Sequence, residues 1–277
     1  MHPHHAATLT NSVAYFSANP DVQAILLSGS IAHGFETASS DVDLLIVLTD
    51  AAHAKLRDAG ERMTFVSHDL AAYEGGYVDA KYVSLAFLRE VAARGSEPAR
   101  WALEGARVVF CRGDVDEGGK GEGKSRLREE LEKVLCEAVR YPVEGRTERI
   151  MRFRAQLDAW KWFSEEGRKK DNGYLLGLAV RKLILFGGRL VLAHNEVLYP
   201  FHKWFLKVLA GVKEKPDGLM DAISRLLEDP SEANVNGFYD MIKGFQEWEE
   251  TPNGWGAQFM LDNELTWMSG HTPVDDL

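Results

Sequence analysis

The 277-residue chain sets 42 aspartates and glutamates against 32 lysines and arginines, a net charge of −10, and is 45% hydrophobic and 10% aromatic. That apolar fraction suffices to bury a core, and the length suggests two domains. The acidic balance speaks against a protein that grips many phosphates of a nucleic acid, which needs a basic surface, and no apolar run approaches the ~20 residues of a membrane-spanning helix.

The first residues, MHPHHAATLTNSVAYF, lack a basic stretch followed by an apolar one, so no signal peptide is expected. The clustered His2, His4 and His5 read as a frayed terminus rather than a metal site. A helix is expected over residues 8–18, a strand over 22–28 and a second strand over 41–49. A short helix over 51–60, strands over 63–68 and 77–84, a helix over 85–94 and a last strand, ARVVFC, follow. Residues 112–125, RGDVDEGGKGEGKS, hold five glycines and no bulky apolar side chain, the composition of a flexible connector.

Beyond it the periodicity becomes helical. Helices are expected over 125–140, with Leu127, Leu131, Val134, Leu135 and Ala138 on one stripe, and over 147–166, with Phe153, Leu157, Trp160 and Phe163. Others fit 173–193, 200–211, 217–228 and 231–249. The expected fold class is thus an α/β (α+β) domain over 1–114, a linker over 115–124, and an all-α bundle over 125–277. Cys111 and Cys136 have no metal-ligand or CxxC spacing and read as free thiols in a cytoplasmic setting.

The chemistry concentrates in LLSGSIAHGFETASSDVDLLIVL, residues 26–48. On a strand, Asp41 and Asp43 share a face, their Cα atoms ~6.6 Å apart, while Val42 and Leu44 face the other way. Two carboxylates side by side repel unless a proton or cation lies between them, and a hard ion such as Mg²⁺ suits oxygen donors. Gly29 and Ser30, just after an apolar strand, supply a sharp turn, a hydroxyl and backbone N–H groups for a phosphate. Together the two features make one site for a metal-bound triphosphate.

Gly29-Ser30, ten intervening residues and Asp41-Val42-Asp43 resemble the signature of the DNA polymerase beta-like nucleotidyltransferase superfamily, in particular its small-molecule aminoglycoside and lincosamide branch. The signature covers about twenty residues, and the layout extends the resemblance loosely over the chain; it implies a mixed sheet in the first domain. One departure is His33, where many relatives carry an arginine. The resemblance implies a third carboxylate on a later strand, which Asp79 fits between Val78 and Ala80, with Asp69 and Glu74 as competitors. It implies two Mg²⁺ ions (Mn²⁺ as an alternative) held by Asp41, Asp43 and Asp79. Transfer of a nucleoside monophosphate, AMP from ATP or the corresponding monophosphate from another nucleoside triphosphate, to a small-molecule hydroxyl would then release pyrophosphate. The general base implied is Asp79 itself or a glutamate, with Glu104 and Glu196 as candidates.

In the second half, Lys203 at a helix start is a candidate for the β- or γ-phosphate, and its neighbour His202 reads as a packed or capping side chain. Arg181 and Lys182 read as a solvated stripe. Trp255, Trp267 and the acids Glu249, Glu250, Asp262 and Glu264 are open candidates for an acceptor pocket. The expected partners are a nucleoside triphosphate and a small hydroxylated acceptor, with neither membrane nor nucleic acid, and relatives leave room for a homodimer. Transfer to a protein or RNA end, and a non-catalytic nucleotide-binding regulator, are the rival readings.

Overall fold

The computed structural model describes residues 1–114 and 125–270; the expected linker at 115–124 lies outside the described residues. The chain divides into two compact units, Met1–Arg140 and Tyr141–Leu277.

The first unit runs α1 (Pro3–Ser17), β1 (Val22–Leu27), α2 (Gly29–Ala32), β2 (Val42–Leu48), α3 (Asp50–Asp58), β3 (Thr64–Ser67) and β4 (Val78–Ser84). It continues with α4 (Leu85–Arg94), α5 (Glu97–Trp101), β5 (Arg107–Cys111) and α6 (Arg126–Ala138). The five strands form one sheet in the order β3-β4-β2-β1-β5. β2 and β4 are parallel and the remaining pairs antiparallel, so the sheet is mixed. Its strands carry the β-branched and leucine-rich runs that suit a sheet covered on both faces.

Strand alternation assigns the two faces. Val42, Leu44 and Ile46 of β2 pack with Ile25, Leu27, Val78 and Ala80 against Phe16 of α1 and Leu56 of α3. On the opposite face Leu45 and Val47 join Ala24, Leu26 and Val83 beneath Leu88 and Val91 of α4 and Leu131, Val134, Leu135 and Ala138 of α6. Local chemistry sets the helix starts. The Thr49 hydroxyl accepts from the Ala52 N–H at 3.2 Å, the Ser84 hydroxyl from Phe87 at 3.1 Å, and the Ser125 hydroxyl from Arg128 at 3.2 Å.

Two expectations shift. The helical domain was expected to begin at 125, but α6 completes the core of the first unit, and the compact units part after Arg140. The N-terminus is not frayed: α1 begins at Pro3, a residue tolerated in a first turn, and His5 is fully buried within a cluster of His2, His4 and Tyr73 rings.

The second unit is helical: α7 (Arg146–Lys169), α8 (Gly173–His194), α9 (Phe201–Gly211), α10 (Leu219–Glu228), α11 (Glu232–Phe245) and α12 (Gly254–Phe259). Its core joins Leu157 and Trp160 of α7, Leu183 and Leu190 of α8, Phe205 and Leu209 of α9, Ile223 and Leu226 of α10, and Phe238 and Ile242 of α11. Gly188 lets α9 come close to α8, since a Cβ there would lie 2.3 Å from the Phe205 ring. The architecture is therefore the expected one, a mixed-sheet α/β unit followed by an all-α unit. Among the described residues no helix is long and apolar enough to cross a membrane.

Candidate metal centre

β2 and β4 run in parallel and in register, with Asp43 directly opposite Asp79. Adjacent strands lie about 4.8 Å apart, so the pairing alone brings those two carboxylates together. Asp41 precedes β2 by one residue and lies on the Asp43 face of the strand by alternation. One carboxylate oxygen from each of Asp41, Asp43 and Asp79 lies within 4.8 Å of the others, and all three residues are half-buried. The competitors Asp69 and Glu74 are exposed in the segment between β3 and β4 and do not join this group. Three hard oxygen donors at that spacing could hold a divalent ion, and their own chemistry favours Mg²⁺ or Mn²⁺ over softer metals.

Tyr77 and Lys81 contact the acids. Tyr77, the residue before β4, donates its phenol to Asp41, whose negative charge, more than burial, raises the Tyr77 pKa above its ordinary value. The Asp79 Oδ2 accepts from the Lys81 ammonium at 3.0 Å. Alternation along the strand places Tyr77, Asp79 and Lys81 on one face. The contact of Tyr77 with Asp41 follows only from the pairing of β4 with β2.

Gly29 is fitted to Asp43. Its φ is +65°, and a Cβ at that position would lie 1.8 Å from Asp43 Oδ2. The carboxylate therefore rests against bare backbone, which only glycine offers. The Ser30 hydroxyl is buried and, among the described residues, has no hydrogen-bond partner. A buried hydroxyl left unpaired is costly, so this one is available to an incoming acceptor such as a phosphate oxygen.

His33 stacks on Trp101, ring centroids 3.8 Å apart and planes 11° from parallel. Burial pulls its pKa down to about 4, so the imidazole is neutral at pH 7. The segment 29–36 thus brings no cation to the acids. Its one charged side chain, Glu36, pairs with the N-terminal ammonium at 2.9 Å.

The remaining candidates are placed as follows. Glu104 is exposed in the turn between α5 and β5, outside the acid group. Glu196 follows α8 with φ +54° and lies 3.8 Å from Arg146 Nη1. Lys203, in the first turn of α9 in the second unit, is exposed with its ammonium 5.4 Å from the Trp204 ring centre. His202 Nδ1 meets the Tyr199 hydroxyl at 3.1 Å, a packing contact. Arg181 caps the Gly177 carbonyl of its own helix, and Lys182 lies over Trp160. Glu250 is paired with Arg154 at 3.2 Å and Asp262 with Arg152 at 2.8 Å. Trp255 and Trp267 are exposed.

No protein-family model matches the chain, and no curated protein is significantly similar to it. Among solved structures it is similar to the crystal structure of a nucleotidyltransferase-like protein from Exiguobacterium sibiricum. The two share 15% identity, over 99% of this chain and 83% of that one, with a TM-score of 0.46.

Proposed function

We propose that the chain is a metal-dependent nucleotidyltransferase that moves a nucleoside monophosphate, AMP from ATP, onto a hydroxyl of a small molecule and releases pyrophosphate. The observation that carries this reading is the convergence of Asp41, Asp43 and Asp79 across the β2–β4 pair, with Gly29 and the unpaired Ser30 hydroxyl beside it. Mg²⁺ held by these carboxylates would supply charge neutralisation at the triphosphate and a lowered pKa for an acceptor hydroxyl.

The chain's own residues do the rest. Gly29 seats the Asp43 carboxylate, and Tyr77 holds Asp41 by its phenol. The Ser30 hydroxyl and the N–H groups at the start of α2 receive the phosphates. Asp79 would take the acceptor's proton, a role that in-line displacement requires of some base. With His33 neutral, a bound ion and Lys81 would supply positive charge to the triphosphate. The acceptor is a hydroxylated small molecule, with cationic aminoglycoside-like compounds favoured by the net charge of −10.

The test is pyrophosphate release from ATP and Mg²⁺ across a panel of hydroxylated amines, aminoglycosides and other small alcohols. Release is expected with at least one acceptor and is expected to fall by at least about 1,000-fold in Asp43→Asn, which removes a charge and keeps the volume. Release undiminished in a folded Asp43→Asn protein would end this reading. Label transfer from ATP to protein or to RNA ends, with none to small molecules, would reassign the acceptor.

A further inference from the structure

The strand order sets the site out in a line. Gly29, just after β1, rests against Asp43 of β2; Asp43 is paired with Asp79 of β4, and Asp79 with Val66 of β3. Residues paired directly across neighbouring strands share a face of the sheet, so Val66 lies on the face of the acids. It is apolar and 61% exposed. His68, on the same face by alternation, comes beside Tyr77, with ring centroids 5.6 Å apart. The His68 Nδ1 lies 3.0 Å from the Gly76 carbonyl, which can only accept, so Nδ1 carries a proton. Nε2 is left on the other side of the ring and, among the described residues, has no hydrogen-bond partner. The segment behind it is tied down. A Cβ on Gly76 would lie 2.4 Å from the Tyr73 ring, Tyr73 donates to the Ser40 carbonyl next to Asp41, and the Ala72 N–H donates to Thr8 Oγ1 at 2.9 Å. The anchor on Gly76 accounts for Nδ1 and leaves Nε2 without a role in the fold.

Resting on the nucleotidyl-transfer reading above, we propose that the β3 side of the acid group receives the acceptor, and that His68 binds a second hydroxyl of an acceptor ring that lies on Val66. In the transfer the acceptor oxygen bonds to the α-phosphorus while the bond from that phosphorus to the pyrophosphate oxygen breaks, and the acceptor proton passes to a base. The entering and leaving oxygens stand roughly in line on opposite sides of the phosphorus. Gly29 and Ser30, which receive the phosphates in that reading, lie on the β1 side of Asp43, so pyrophosphate leaves on that side. The acceptor then enters across Asp79, where β3 is the next and last strand. There it meets Val66, an apolar platform for the C–H face of a ring, and His68 Nε2, which accepts from a hydroxyl. Lys81, held on Asp79, borders the other flank. His68 and Asp79 are diagonal neighbours across β3 and β4, a separation of about 7–8 Å. A polyhydroxylated ring spans that distance with two of its hydroxyls, and a small single alcohol does not.

The experiment is steady-state pyrophosphate release from ATP and Mg²⁺ by the full chain, with the acceptor panel above and myo-inositol added as a neutral polyhydroxylated ring. The wild type is expected to prefer ring acceptors to single alcohols. His68→Asn keeps an amide N–H near the Nδ1 position for Gly76 and has nothing at Nε2. It is expected to raise KM for the best ring acceptor about tenfold, with KM for ATP and the calorimetric Mn²⁺ affinity within about twofold of wild type. His68→Gln, whose amide reaches the Nε2 position, is expected to recover most of that loss. If circular dichroism shows His68→Asn unfolded, Val66→Tyr at its exposed edge position serves instead: it covers the platform and is expected to raise the same KM. An unchanged acceptor KM in these variants, a KM for ATP that rises in step with it, or equal losses in His68→Asn and His68→Gln would overturn the role of His68 and leave the transfer reading standing. A wild type that prefers single alcohols would overturn the ring as acceptor. No release by the wild type with any acceptor would end both readings.

Discussion

Gly29 shows how a single backbone position can define a site. An alanine there would need a φ of +65° and would direct its Cβ into the Asp43 carboxylate. Gly29→Ala is expected to lower stability by about 1–3 kcal/mol and to weaken Mn²⁺ binding, because relief of the clash moves Asp43 out of line with Asp79. Urea denaturation and Mn²⁺ titration of the same variant check both parts. His33 gives a pH dependence at the same scale. Folding lowers its pKa from 6.5 to about 4, so between those values the unfolded chain holds the extra proton. This contribution to stability is full above pH 6.5 and is lost as the pH falls toward 4. For a ring only partly buried it amounts to about 1–2 kcal/mol. His33→Phe keeps the stack on Trp101 and cannot titrate, so its urea midpoint is expected to fall less than that of the wild type between pH 7 and pH 4.5. Equal losses in the two proteins would contradict this account. The acid pair was legible as Asp-x-Asp on an apolar strand, and Asp79 as a carboxylate flanked by apolar residues. The neutrality of His33 was not legible, since its partner Trp101 is distant in sequence and reaches it only through the fold.

At the scale of elements, α7 and α11 are joined by a polar knot. The Tyr239 hydroxyl donates to Asp158 Oδ1 at 2.5 Å, and the buried Arg154 bonds both Asp158 and Glu250. Burial first, and the bond to Asp158 second, raise the Tyr239 pKa well above its ordinary value. Tyr239→Phe removes the donor while Arg154 still compensates the Asp158 charge, so a loss of about 1–2 kcal/mol is expected in urea denaturation. A loss near zero would mean that water replaces the phenol. Elements of this kind separate into those with strong periodicity and those without. β2, β4, α4 and α8 appear where alternation or the 3.6-residue stripe placed them, because their apolar faces are long and uninterrupted. The short α5 and α12 were not anticipated, and α2 only as a turn with backbone N–H groups at Gly29 and Ser30. A helix of four to six residues shows no repeat of its pattern, and its stability comes from caps and tertiary packing.

For the whole molecule, the decisive point is which unit owns α6. Its buried Leu131, Val134, Leu135 and Ala138 close the sheet face that carries Asp43 and Asp79 farther along their strands. Removing that cover forfeits roughly 6 kcal/mol of burial, comparable to the total stability of a small domain. A chain ending at residue 140 is therefore expected to unfold cooperatively, whereas one ending at 114 is expected to be unfolded or aggregated by circular dichroism and gel filtration. Cooperative folding of the shorter chain would show that α6 is dispensable. The glycine-rich composition of 112–125 suggested a boundary there, yet composition reports only that a segment makes few contacts. It does not report which side of the segment the next helix joins.

The sequence by itself determined the two architectural classes, the strand that bears Asp41 and Asp43, and the turn at Gly29, because periodicity, charge repulsion and glycine chemistry act over a few neighbouring residues. Only the tertiary structure decided that β4 lies parallel and in register beside β2. That pairing sets Asp79 opposite Asp43, brings Tyr77 to Asp41 and leaves Lys81 at the edge of the group. Strand order and register are fixed by which apolar faces bury together across long stretches of chain, and no local pattern contains them.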